Sequence, residues 1–134
     1  MAIDAPITIL VVDDSSTMAR IISNLLQQLG FKNVDEAPGA ISALARMRKK
    51  HYDLVISDWN MEPMTGYDLL CEIRADQKIR TTRFIMVTSE SKQDNVVAAK
   101  EAGADNYIVK PFNAETLHQK IKSVFAHAAS PLET

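Results

Sequence analysis

Residues 7–20 read ITILVVDDSSTMAR. The apolar, β-branched run from Ile7 to Val12 stops at two carboxylates, Asp13 and Asp14, and three hydroxyl residues then lead into a segment of different periodicity. A strand that is apolar at every position, rather than at alternate ones, predicts cover on both faces and so a parallel sheet between layers of helices. In the following segment Met18, Ile21, Ile22, Leu25, Leu26 and Leu29 recur at helical spacing, with N-cap hydroxyls at Ser15 to Thr17 and a stop at Gly30. The stretch is one βα unit with its acids at the junction.

The same unit recurs along the chain. Strand-like runs occupy Leu54 to Ser57, Phe84 to Thr88 and Tyr107 to Val109, and a weaker one spans Asn33 to Glu36. Between them, Ile41, Leu44, Ala45 and Arg48 predict a helix from near Pro38, and Tyr67, Leu70 and Ile73 predict one capped by Thr65. Val96, Val97 and Ala99 to Ala102 precede Gly103, and Leu117, Ile121, Val124 and Phe125 follow a cap at Asn113. Five βα units are too few for an eight-stranded barrel. They predict an α/β fold: an open, doubly wound, flavodoxin-like parallel sheet of five strands in the order 2-1-3-4-5, with helices on both faces and a ligand crevice between strands one and three.

Composition narrows the functional classes. The chain has 134 residues, 46% hydrophobic and 24% charged, which suits one globular domain with a core over about residues 6–127. Fifteen basic against 17 acidic residues leave a net charge of -2, which argues against nucleic acid as a partner. One cysteine, Cys71, excludes an internal disulfide, and no apolar run is long enough for membrane insertion. The opening MAIDAPITIL lacks the pattern of a signal peptide, so a cytoplasmic location is expected.

The topology brings distant strand ends together. Asp13 and Asp14 end the first strand and Asp58 the third, so three carboxylates are expected at the crevice, where Mg²⁺ would relieve their repulsion. The backbone carbonyl of Asn60 could add a further oxygen ligand. Thr88 and Lys110 end the fourth and fifth strands and supply a hydroxyl and an ammonium to the same edge. Nucleophile, metal site and phosphate donors are the parts that phosphoryl transfer requires. Each residue also has a plainer reading: Asp14 as a helix cap, Asp58 as a loop carboxylate, Thr88 as a β-branched strand residue and Lys110 as a solvated charge.

In the segments ILVVDDSSTMAR, LVISDWNM, IMVTSES and YIVKPF the chain resembles the receiver domain of two-component response regulators, over essentially its whole length and most of all in the chemotaxis branch. Members of that family are themselves standard examples of the 2-1-3-4-5 order, so topology and resemblance form one inference. The resemblance implies a signalling switch rather than an enzyme with its own substrate. Asp58 would accept a phosphoryl group from a sensor histidine kinase, and Asp13, Asp14, Asp58 and the Asn60 carbonyl would hold Mg²⁺, with Asp13 acting through water. Lys110 would pair with the phosphate beside a cis Lys110-Pro111 bond, and Thr88 would couple the phosphoryl group to Tyr107, which could otherwise be an ordinary strand aromatic.

The same resemblance implies an output surface with Lys92, Val96, Tyr107 and Lys120, and control of phosphate lifetime by Asn60, Ser89 and Glu90. A flagellar motor switch would be the downstream target, and a phosphatase a possible further partner. The AASPLET tail suggests no attached output domain. The chain departs from the family pattern at Glu62-Pro63, at Thr65 before Gly66 and at Ser89. The alternatives are a phosphate sink or relay receiver and, on the same architecture, a flavodoxin-like electron carrier, in which Asp13 and Asp14 would repel a cofactor phosphate. His51, His118 and His127 lack metal-ligand spacing; Cys71 reads as partly buried, the methionines other than Met61 as core filler, and the basic residues Arg46, Arg48, Lys49 and Lys50 as a favourable helix end, with docking as the minor alternative.

Overall fold

The structure, a computed structural model, describes residues 7–89 and 93–129; the side chains at 93 and 127–129 are not described. Its elements alternate strictly: β1 (Thr8–Val12), α1 (Ser16–Gln28), β2 (Asn33–Ala37), α2 (Ala40–Lys49), β3 (Leu54–Asp58), α3 (Gly66–Ala75), β4 (Arg83–Thr88), α4 (Gln93–Ala102), β5 (Asn106–Val109) and α5 (Ala114–Ala129). The strands form one parallel sheet in the order β2-β1-β3-β4-β5.

Alternate side chains of each central strand enter different cores, the consequence of a two-residue repeat with both faces covered. Leu10, Val12, Val55, Phe84 and Met86 pack with Ala43, Leu44, Leu69, Leu70, Ile73 and Ala99 from α2, α3 and α4. Their strand neighbours Ile9, Val11, Leu54, Ile56, Ile85 and Val87 pack with Ala19, Ile22, Leu26, Leu117, Ile121 and Val124 from α1 and α5. This arrangement explains why β1, β3 and β4 carry no polar alternation.

Local chemistry sets the boundaries. Ser15 caps α1, its Oγ accepting the Met18 N–H at 3.2 Å, and Asn113 accepts the Thr116 N–H at 2.9 Å. Thr65 and Asp68 form a reciprocal capping box at α3. The second helix begins at Ala40, close to Pro38 as expected, because β2 stays paired with β1 as far as Val12 and Ala37 and leaves Pro38 and Gly39 as the turn.

Two side chains depart from the sequence reading. The buried stripe of α3 is Gly66, Leu69, Leu70 and Ile73, so Cys71 falls off it and is exposed rather than partly buried. Met61 is as much a core residue as Met47 and Met86. Of the basic run at the end of α2, Lys50 pairs with Asp35 at 2.9 Å and Arg48 approaches Asp76 at 3.8 Å.

Candidate functional site

The acidic crevice lies at the carboxyl ends of β1 and β3, adjacent parallel strands whose ladder pairs Val12 with Ser57. Asp13 follows β1, and its N–H donates to the Ala37 carbonyl at 3.1 Å, which fixes the backbone against β2 as well. Asp58 is the last residue of β3; the next N–H, of Trp59, donates to the Val87 carbonyl of β4 at 2.9 Å. Carboxylate oxygens of Asp13, Asp14 and Asp58 all lie within 4.8 Å of one another. Asp13 and Asp58 are buried and Asp14 is exposed, so the cluster has a dry floor and one wet side.

Few donors answer those charges. Oδ1 of Asp13 accepts the Ser15 N–H at 2.9 Å, while Oδ2 is buried with no hydrogen bond. The Lys110 ammonium sits 3.1 Å from Oδ1 of Asp58, an ion pair whose alignment falls short of a hydrogen bond. Burial raises the Asp13 pKa above its usual value, and Asp58 and Asp14 add to the rise; the Ser15 N–H and the Lys110 charge oppose it. Hard oxygens crowded together, with buried lone pairs unanswered, suit a small divalent cation such as Mg²⁺. Asn60 is exposed in the loop two residues beyond Asp58.

Lys110 reaches Asp58 from the end of β5. Its N–H donates to the Thr88 carbonyl at 2.8 Å, and the Lys110-Pro111 bond is cis. Thr88, buried at the end of β4, lines a small cavity with Trp59, Met86, Val96, Ala99 and Tyr107. On β5 the Tyr107 ring, which lines this cavity, also carries the Lys120 Nζ 4.7 Å from its centre. Ser89 is exposed just beyond Thr88; Glu90 and Lys92 lie outside the described residues.

One residue at the site escaped the sequence reading. Gly66 opens α3 directly against the end of β3, its N–H donating to the Trp59 carbonyl at 2.9 Å. A Cβ there would collide with the Asp58 carbonyl oxygen and lie 3.1 Å from the Met86 sulfur. Only glycine permits that approach, and its one sequence signal was a position just inside a helix cap. The departures in the same loop take defined forms: Glu62-Pro63 is a second cis peptide, and Thr65 supplies the capping box.

Comparison with known proteins was consistent along the chain. A family profile for the response regulator receiver domain matches residues 9–122. The chain is 47% identical over 117 residues to chemotaxis protein CheY-3 of Vibrio cholerae, covering 87% of this chain and 90% of that one. It has the same identity, over the same length, to chemotaxis protein CheY of Pseudomonas aeruginosa, covering 87% and 94%. Among solved structures, Vibrio cholerae CheY4 superposes with a TM-score of 0.83 at 35% identity, covering 90% of this chain and 99% of that one.

Proposed function

Because the chain belongs to the response regulator receiver family, we propose that it is a chemotaxis signalling switch in which Asp58 takes a phosphoryl group from a sensor histidine kinase. The observation that carries this reading is the cluster of Asp13, Asp14 and Asp58 with buried, unanswered oxygens facing one ammonium, Lys110. The names of the relatives, both chemotaxis proteins, support the pathway.

In the proposed reaction an Asp58 carboxylate oxygen bonds to phosphorus as the P–N bond to the kinase imidazole breaks, and the imidazole leaves with the electron pair. The side chains of Asp13, Asp14 and Asp58, with the Asn60 carbonyl, would hold Mg²⁺, which when bound neutralises charge on the phosphoryl oxygens. Lys110 exchanges its ion pair with the carboxylate for one with the new phosphate. The Thr88 hydroxyl turns to donate to a phosphoryl oxygen, which opens the shared cavity to the Tyr107 ring.

Output follows from that repacking. Val96, Tyr107 and Lys120 form the surface offered to a downstream protein such as a flagellar motor switch component, a role the family resemblance extends to Lys92. Asn60 and Ser89, both exposed beside the crevice, and Glu90 set how readily water or a phosphatase reaches the acyl phosphate.

Transfer from a labelled, autophosphorylated chemotaxis kinase tests the proposal. Label should move to the chain in Mg²⁺, and chelation or Asp58→Asn should abolish the transfer. Transfer undiminished in Asp58→Asn would overturn the assignment. Retention of a motor-switch component only by beryllofluoride-treated protein would support the output role, and equal retention of both forms would contradict it.

A further inference from the structure

The basic residues at the end of α2 find a use at the opposite end of the sheet. There the C-terminus of α2, the start of β3 and the α3–β4 loop enclose a groove of about 520 Å³, open on one side and bounded on another by Phe125 of α5. Its charged lining is Arg48, Lys49, Lys50, Lys78 and Arg83, with Asp53 the one acid among the lining residues. The volume falls within the roughly 300–1,000 Å³ range of small-ligand sites. Asp58 lies five residue steps beyond Asp53 along β3, about 16 Å at the usual strand rise, so this groove is a separate site from the crevice.

The acids nearby are already engaged. Asp35 accepts from Lys50 at 2.9 Å and Tyr52 at 2.6 Å; Asp53 accepts the Thr8 N–H at 2.8 Å and meets His51 at 3.0 Å; Asp76 accepts the Lys78 N–H at 2.9 Å. Among the described residues Lys49, Lys78 and Arg83 take part in no ion pair. The backbone carrying these cations is held in place: the Arg83 N–H donates to the Asp53 carbonyl at 3.2 Å, and Arg74 Nη1 donates to the carbonyls of Arg80 and Thr82 at 2.7 Å each. A ligand here meets lysine and arginine side chains on two rims, α2 on one side and the α3–β4 loop on the other.

We propose that this groove binds a small polyphosphate, a ligand with at least two linked phosphoryl groups. Cations on two rims are answered by an anion charged at more than one point, and both the Arg fork and the Lys ammonium match phosphoryl oxygens. The net charge of -2 and the confinement of these cations to a concavity favour a compact anion over a nucleic acid or membrane surface. The proposal does not depend on phosphorylation of Asp58.

Inorganic triphosphate is the probe, titrated into the full chain without divalent ions and followed by backbone amide shifts. Saturable shifts should appear at residues 48–51 and 78–83, and the affinity should fall as salt rises. Lys49→Ala/Lys78→Ala, at two exposed positions, should bind at least about tenfold more weakly, while Lys110→Ala should bind as the parent does. Absence of saturable shifts, unchanged affinity in the double variant, or loss of binding in Lys110→Ala would each overturn the proposal.

Discussion

Asp13 illustrates the tension between the site and the fold. Its carboxyl is buried, so its folded-state pKa lies above the ordinary 3.8, and its ionised form opposes folding. The folding contribution of this group is fully present below pH 3.8 and is lost as pH rises through the raised value. Asp13→Asn is therefore expected to melt higher than the parent in chelator and to lose most of the further rise that Mg²⁺ gives the parent; a lower melting temperature in chelator would contradict this. Gly66→Ala sets a Cβ against the Asp58 carbonyl, and denaturant unfolding should show a loss of about 2 kcal/mol or more, with slower phosphorylation. The acids, Thr88 and Lys110 were legible because each ends an apolar strand. Gly66 was not, because its requirement arises where α3 crosses β3, a contact between chain segments that no local pattern records.

At the scale of elements, polar side chains tie helices and loops to the edges of the sheet. Tyr52, buried two residues before β3, donates to Asp35 on the edge strand β2 at 2.6 Å. Burial first, and then Asp35, push its pKa up to about 12. The folded state thus keeps a proton that the unfolded chain releases near pH 10, so this contribution is present below pH 10 and disappears as pH rises to about 12. Tyr52→Phe should unfold about 1–2 kcal/mol more easily at neutral pH, and the gap from the parent should shrink across that alkaline window; a constant gap would contradict the assignment. Arg74 of α3 donates to the carbonyls of Arg80, Thr82 and Gly103 and to Asp105, joining the α3–β4 and α4–β5 loops. Arg74→Met leaves those carbonyls unanswered and should cost about 3 kcal/mol by denaturant titration. The elements were legible from periodicity, whereas their exact ends were not: the α2 start depends on how far β2 stays paired, and the face of Cys71 on which α3 residues reach the sheet.

Across the whole molecule, the acidic crevice and the basic groove lie at opposite ends of one sheet. Two cores cover its faces, and parallel strands put every carboxyl end on the same side. That geometry gathers Asp13, Asp14, Asp58, Thr88 and Lys110 from four strands, and the run of apolar strands in the sequence was enough to foresee it. The other end, with its basic groove, could not be read the same way: its cations come from a helix end and a loop, where charged residues are ordinary. The central claim is that this crevice makes one aspartate phosphorylatable. Intact-mass and peptide analysis after incubation with a small phosphodonor and Mg²⁺ tests it directly: a single added phosphate on the peptide containing Asp58, absent in Asp58→Asn, is the expected result, and a phosphate that persists in that variant would contradict it.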